Sequence, residues 1–123
     1  MRRVYPIDPV AKPRQTQRDV WAKRPCVLRY RQFADDCRKL GMVLPSHGAS
    51  VQFVIAMPKS WSEKKRAAML GQPHTQKPDI DNLLKAIADA VHGDDSHIWH
   101  YAGLSKVWGE TGGIIIQTNG DVK

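Results

Sequence analysis

The spacing of hydrophobic side chains predicts two helices, and a capping motif predicts a third between them. In residues 27–40 the apolar positions recur every three or four residues, which is the pattern of an amphipathic helix, and Gly41 ends it. The same spacing in residues 79–91 gives the most regular helix of the chain. Between them, Ser60 with Glu63 three residues later is typical of a capping box and predicts a helix through WSEKKRAAML.

Strands are predicted where β-branched and apolar residues cluster. Residues 50–57 (SVQFVIAM) form such a run, and residues 97–107 and 113–118 form two more, joined by a glycine-containing turn. Prolines limit the segment VYPIDPV near the N-terminus to a short edge strand. The order strand, helix, strand, helix, helix, strand, strand predicts an α/β (mixed α+β) fold. We expect one small domain, residues 1–123, with a mixed β-sheet packed against about three helices.

The composition excludes several classes of protein. With 41% hydrophobic residues the chain can build a modest core, but no apolar run approaches the roughly 18 residues that a membrane-spanning helix needs. The basic N-terminus lacks the apolar core of a signal peptide, and two cysteines cannot form a disulfide framework. We therefore expect a reduced, cytoplasmic protein with no membrane partner.

Charge is distributed unevenly along the chain, whose net charge is +7. The first 39 residues hold eleven Lys or Arg against four Asp, whereas residues 79–123 hold three basic side chains against seven acidic ones. The basic excess favours a polyanionic partner such as a nucleic acid. Five carboxylates lie between Asp79 and Asp95, and like charges concentrated in so short a segment of a basic protein need an explanation.

Residues 1–26 form a basic, proline-containing segment at the start of the domain. Its cations alternate with glutamine, threonine and tryptophan, a mixture that favours contact with a phosphate backbone over an ordinary solvated surface. The phosphate-binding residues predicted there are Lys12, Arg14, Arg18, Lys23 and Arg24. The same surface is extended by Lys59, Lys64, Lys65 and Arg66. Trp21 and Trp61 are the candidates for stacking on bases.

The third predicted helix has a charged face. Asp81, Lys85 and Asp89 are spaced four residues apart, so we expect them to share the face opposite the apolar stripe. In the plainest interpretation this face is solvated, and Asp81 and Lys85 form an ordinary ion pair worth about 0.3–0.5 kcal/mol. Asp79 is likewise a natural N-cap for the helix. Both interpretations stay open beside a catalytic one.

A metal site is the catalytic explanation of the acidic cluster. Asp94 and Asp95 follow the helix and lead into the next strand, so one of them can converge with the acids at the helix start. Those acids are Asp79 and Asp81. Mg²⁺ prefers such oxygen ligands, and a bound cation activates water and stabilises charge on a phosphodiester. Lys85 is placed to neutralise negative charge that develops there.

Histidines offer a weaker, zinc-binding alternative. Its ligands would be His92, His97 and His100, with His74 as a fourth. However, His97 and His100 point to opposite faces of a strand, and no cysteine lies near them in the sequence. We therefore favour surface positions for these imidazoles.

The segment KPDIDNLLKAIADAV, followed by DDSHI, resembles the signature of the RusA-type Holliday junction resolvases, small endodeoxyribonucleases of bacteria and their phages. The matching positions are residues 77–85, Asp89-Ala90 and Asp94-Asp95. Residues 9–24 and the tripeptide Ser105-Lys106-Val107 are similar to outer parts of the family pattern. The resemblance covers most of the chain and is highly specific only in residues 77–95.

The resemblance implies a RusA-like fold and a function. It implies a Mg²⁺-dependent homodimer, with Mn²⁺ as a substitute ion, that acts in DNA recombination and repair. Such an enzyme nicks four-way junction DNA symmetrically and leaves 5′-phosphate and 3′-hydroxyl ends. Two other functions remain open: a non-catalytic nucleic-acid-binding module with a structural acidic cluster, and a nuclease that acts on other branched DNA or on RNA.

The resemblance also implies roles for individual residues. Asp79, Asp81 and Asp95 fall on the catalytic, metal-binding acids of the family. Lys85 falls on its catalytic lysine. Because the link between the helix and the acidic pair is short, Asp94 remains the alternative to Asp95 as third ligand. The predicted DNA-binding residues are completed by Lys77 and Lys106.

Overall fold

Four strands and three helices make up the regular structure of the described chain. The structure is a computed structural model, and it describes residues 2–13, 25–93, 96 and 98–118. The strands are β1 (Arg2–Tyr5), β2 (Ala49–Ala56), β3 (Tyr101–Gly109) and β4 (Gly113–Thr118). The helices are α1 (Pro25–Lys39), α2 (Glu63–Met69) and α3 (Ile80–His92). All the predicted elements are present, and they follow one another in the predicted order.

The strands form a single mixed sheet in the order β1-β4-β2-β3. β4 lies antiparallel to both β1 and β2, whereas β3 runs parallel to β2. A parallel neighbour requires a long crossover, and here the crossover contains α2 and α3. The fold is therefore α+β, which confirms the predicted fold class.

One face of the sheet is packed against α1 and α3. Along β2 the side chains alternate, so that Val51 and Phe53 are buried while Ser50 and Gln52 lie on the opposite, more open face. The core consists mainly of β2, β4 and the apolar side of α3, where Leu83, Ala86, Ile87 and Ala90 are buried. Each large apolar side chain buried in this layer stabilises the fold by about 1.5–3 kcal/mol. Burial thus fixes which side of α3 faces solvent.

Two glycines end helices as the sequence predicts. Gly41 follows α1 with φ 67°, and its N–H donates to the carbonyl of Arg38. Gly93 follows α3 with φ 86°, and its N–H donates to the carbonyl of Asp89. Both conformations are left-handed, which costs glycine little because it has no Cβ. None of the three described helices has the length and hydrophobicity needed to cross a membrane.

The predicted capping box of α2 is wrong. Ser60 lies in a turn in which the N–H of Trp61 donates to the carbonyl of Pro58. The helix begins two residues later than that box requires, and its N-cap is Ser62, whose hydroxyl accepts from the N–H of Lys65 at 3.2 Å. Because a turn forms before the helix, local hydrogen bonding decides between two serines that the sequence pattern does not distinguish.

Two strand boundaries also differ from the prediction. β1 ends before Pro6, which has no N–H to donate to a neighbouring strand, so the strand lies earlier than VYPIDPV indicates. β3 starts at Tyr101, because Trp99 donates its backbone N–H to Ser46 in the loop before β2. The predicted start, His97, lies outside the described residues.

Candidate active site

Asp79 stands at the start of α3 with its carboxylate unused by the helix. It follows a cis peptide bond between Lys77 and Pro78, and its extended backbone (φ −68°, ψ 143°) makes it the N-cap residue. Its carbonyl accepts the N–H groups of Asn82 and Leu83, both at 3.2 Å. Its side chain makes no capping hydrogen bond. The N-cap interpretation is thus correct for the backbone of Asp79, but it does not explain the exposed carboxylate, which does not cap the helix.

Asp81 and Lys85 lie on the exposed side of α3 and line the same groove. This groove has a volume of about 180 Å³, and its walls are completed by Leu84, Ile98 and Tyr101. Asp81 and Lys85 form no ion pair with each other, and neither forms one with any other residue that the structure describes. An acidic and a basic side chain therefore line one groove, and neither is neutralised by a residue that the structure describes.

The exposed acids at the start of α3 fit a hard cation as far as the described chain goes. Two carboxylates without side-chain partners are the number that Mg²⁺ commonly takes from a protein. Within residues 2–13, 25–93, 96 and 98–118, no three His, Cys, Asp or Glu side chains gather around one point. The predicted third ligand, Asp95, and its alternative, Asp94, lie outside the described residues. Their convergence with Asp79 and Asp81 stays a prediction.

Lys106 holds the loop that precedes Asp79. From β3, its Nζ donates to the carbonyl oxygens of Gln76 at 2.5 Å and Pro78 at 2.6 Å. The backbone of His74 in the same loop donates to the carbonyl of Lys106. Hydrogen bonds from a charged donor are about twice as strong as neutral ones. The ammonium predicted to bind DNA thus has a structural task in the described chain, while Lys77, between the two carbonyls, is exposed.

Asp89 does not share the exposed face with Asp81. Eight residues turn the helix by about 80° beyond two full turns, and this rotation brings Asp89 against α1. There its Oδ2 accepts from the hydroxyl of Tyr30 at 2.6 Å and lies 2.8 Å from Nζ of Lys12. Burial, together with the neighbouring carboxylate, raises the pKa of Tyr30 well above its usual value. The phenol therefore remains a donor.

Lys12 connects the basic segment to α3. Besides its ion pair with Asp89, its backbone N–H donates to the carbonyl of Asn82 at 3.1 Å. Its side chain keeps 42% of its surface exposed, so one ammonium can serve both Asp89 and a phosphate. Trp21 lies outside the described residues. So do the other phosphate-binding residues predicted in this segment, which are Arg14, Arg18, Lys23 and Arg24.

The histidines of the zinc alternative are engaged separately. His74 is buried against Trp108, with ring centroids 4.3 Å apart, and its Nδ1 has no hydrogen-bond partner among the residues that the structure describes. Burial, and secondarily Lys106, lowers the pKa of His74. Nε2 of His92 lies 2.7 Å from the carbonyl oxygen of Leu44, and Nδ1 of His100 accepts from a backbone N–H at 3.1 Å. His97 lies outside the described residues.

Two aromatic residues near the site were not predicted from the sequence. Tyr30 lies on the apolar stripe of α1, where nothing distinguishes it from a core residue. Trp99 is 73% exposed, and the cluster of histidines around it in HIWHY was the available signal. Trp61, a predicted base-stacking residue, instead packs on Trp108 with ring centroids 4.8 Å apart, and Lys65 lies over its ring.

Comparison with protein families gives one result. The family model described as endodeoxyribonuclease RusA matches residues 6–119. The match includes α3, the exposed acids at its start, the groove and all of β2 and β3. Neither the curated proteins nor the solved structures that were compared with the chain gave a match.

Proposed function

The chain belongs to the RusA family of endodeoxyribonucleases, and from this we propose that it is a structure-selective, Mg²⁺-dependent enzyme that resolves Holliday (four-way) junctions. The observation that supports this most is the state of the acids at the start of α3. Asp79 and Asp81 match the family's acidic signature, yet among the described residues the carboxylate of Asp79 makes no capping hydrogen bond and that of Asp81 forms no ion pair. A structural acidic cluster would be expected to hold partners.

The proposed reaction is hydrolysis of a phosphodiester. Water adds to phosphorus, the bond from phosphorus to the 3′ oxygen breaks, and the products are a 5′-phosphate and a 3′-hydroxyl. Asp79, Asp81 and Asp95 (or Asp94 in its place) would hold the metal ion. When bound, Mg²⁺ stabilises negative charge on the scissile phosphate and lowers the pKa of water. Mn²⁺ is expected to substitute for it.

Residues of the chain supply the remaining electrostatics. Lys85 lies one turn after Asp81 and lines the same groove, so its ammonium can balance the charge that accumulates on phosphate oxygens. Lys106 keeps the loop before Asp79 in place through two carbonyls. The DNA arms would be held by Lys12, Arg14, Arg18, Lys23, Arg24 and Lys77, with Lys106 at the edge of that surface.

The proposed substrate requires two active sites. A four-way junction is two-fold symmetric, and resolution needs two matched nicks, which a homodimer with a two-fold axis provides. We therefore propose a homodimer that nicks the junction symmetrically during DNA recombination and repair. Its place of action would be the cytoplasm of a bacterial cell, whether the enzyme is encoded by the cell or by a phage.

The test is a nicking assay on a synthetic four-way junction beside linear duplex DNA. The wild type should nick the junction alone, with Mg²⁺ or Mn²⁺, and EDTA should abolish the reaction. Asp81→Asn keeps the shape of the side chain but loses a charged ligand. Mutation of a residue that only hydrogen-bonds to a metal ligand typically lowers metal affinity or activity about 10–100-fold. Loss of a ligand itself should therefore lower the nicking rate by at least about 100-fold, while junction binding survives. The matched control is Glu110→Gln, an exposed acid in the turn after β3.

Two results would contradict the proposal. Tight junction binding without cleavage under either metal would identify a nucleic-acid-binding module. Equal cleavage of linear duplex or of RNA would identify a nuclease with a broader substrate.

A further inference from the structure

An exposed tryptophan stands beside the candidate active site. Single exposed apolar residues are common on protein surfaces, so the exposure of Trp99 matters only because of its location. Its predecessor, Ile98, lines the groove that contains Asp81 and Lys85. Consecutive Cα atoms are about 3.8 Å apart, so the indole begins within one residue of that groove.

The backbone that presents Trp99 is held in place. Its N–H donates to the carbonyl of Ser46 at 3.0 Å, and the N–H of Gly48 donates to the carbonyl of His100 at 3.2 Å. The same Gly48 N–H also approaches Nδ1 of His100 at 3.1 Å. The segment on either side of the indole is therefore joined to the loop before β2. A ring presented in this way binds a ligand with little additional loss of conformational entropy.

The indole stacks on one imidazole and remains largely exposed. The ring of His47 lies nearly parallel to it, with centroids 5.2 Å apart and an interplanar angle of 21°. His100 makes a tilted contact at 5.6 Å and 38°. With 73% of its surface exposed, Trp99 keeps most of its aromatic surface accessible to a ligand. We refer to Trp99 and His47 together as the aromatic platform.

We propose that the aromatic platform stacks on a nucleobase exposed at the exchange point of the junction, next to the phosphate held in the groove. The inference rests on the proposed function. Stacking on an aromatic side chain is the usual way in which proteins hold single-stranded bases, and it tolerates any base because each has a π-face. At the point of strand exchange the last base pair of each arm can lack a stacked neighbour on one side. Within the part of the chain that the structure describes, the rings in contact with Trp99 are imidazoles.

The platform would act as a positioning device. A base held on Trp99 fixes its own nucleotide and thereby the adjoining phosphate at the groove. Selectivity for a branched substrate follows, because the bases of linear duplex DNA are stacked and paired and are not available to the indole.

The experiment measures binding without cleavage. Junctions that contain 2-aminopurine at the exchange point are titrated with the Asp81→Asn protein in EDTA, with and without substitutions at Trp99. Stacking on the indole should quench the 2-aminopurine fluorescence. Trp99→Ala should abolish the quenching and weaken junction binding about 5- to 150-fold. Trp99→Phe, which keeps an aromatic face, should lose less. Leu70→Ala, at an exposed apolar residue after α2, is the control and should bind like the parent.

Each contrary outcome has a distinct meaning. If Trp99→Ala binds within about twofold of the parent and quenches equally, the platform does not contact DNA and the inference is overturned. If Trp99→Ala changes the oligomeric state in sedimentation, Trp99 is a subunit contact, and the inference is again overturned. Failure of the wild-type protein to nick any junction would instead remove the proposed function, and the inference with it.

Discussion

Removal of the Tyr30 hydroxyl tests how strongly the half-buried Asp89 joins α1 to α3. In Tyr30→Phe the ring stays, while the hydrogen bond of 2.6 Å to Oδ2 of Asp89 is lost. Hydrogen bonds to charged groups contribute about 1.5–3 kcal/mol. Asp89 keeps Lys12 at 2.8 Å and is still 19% exposed, so water replaces part of the loss. We therefore expect the free energy of unfolding to fall by about 1–2 kcal/mol, near the lower end of the contribution expected for a hydrogen bond to a charged group.

Urea unfolding followed by circular dichroism measures this change. The midpoint should decrease with an unchanged m-value, because the surface exposed on unfolding is the same. Gln32→Met is the control, since its hydrogen bond to Asp36 within α1 is exposed and should contribute less than about 0.5 kcal/mol. Lys12→Met acts on the same carboxylate oxygen, so the double variant should be non-additive by about 0.5 kcal/mol or more. Stability of Tyr30→Phe within about 0.3 kcal/mol of the wild type would refute the reasoning.

Three further predictions concern buried or engaged groups. Because burial lowers the pKa of His74 below 6.5, the unfolded chain binds the proton more readily than the folded chain. Stability should therefore fall as the pH decreases below about 6.5, by at most about 1.4 kcal/mol per pH unit. His74→Phe should flatten this part of the profile of urea midpoint against pH, and an unchanged profile would contradict the assignment. Burial raises the pKa of the Cys37 thiol to about 11. At about pH 8 a thiol reagent should therefore label only the exposed Cys26 in the native protein and both cysteines in urea. Two fast-reacting thiols in the native protein would disprove this prediction. Lys106→Met should lower the nicking rate more than the junction affinity, because the carbonyls before Asp79 lose their hydrogen-bond donor. Lys106→Arg should partly restore the rate. Equal loss of affinity and rate would favour a direct DNA contact.

Local patterns in the sequence were enough for the elements and for part of the site. Apolar spacing located α1 and α3, and the glycines after these two helices end them as expected, whereas α2 was predicted from a capping box at the wrong serine. A spacing of four residues placed Asp81 and Lys85 on one side of α3, where both line one groove. The motif in residues 77–95 identified the family, which the match over residues 6–119 confirms. These features depend on neighbours within a few residues, which the sequence displays directly.

Contacts between distant segments were decided only by the tertiary structure. Asp89 was predicted to be solvated beside Asp81, but the position of α1 gives it Tyr30, which lies 59 residues away in the chain. For Lys106, which is predicted to bind DNA, the structure adds an internal contact, because β3 brings its ammonium to carbonyls 28 and 30 residues earlier. Periodicity specifies which side of a helix or strand a residue occupies. It does not specify which element packs against that side, because this choice depends on how all the apolar faces are buried together.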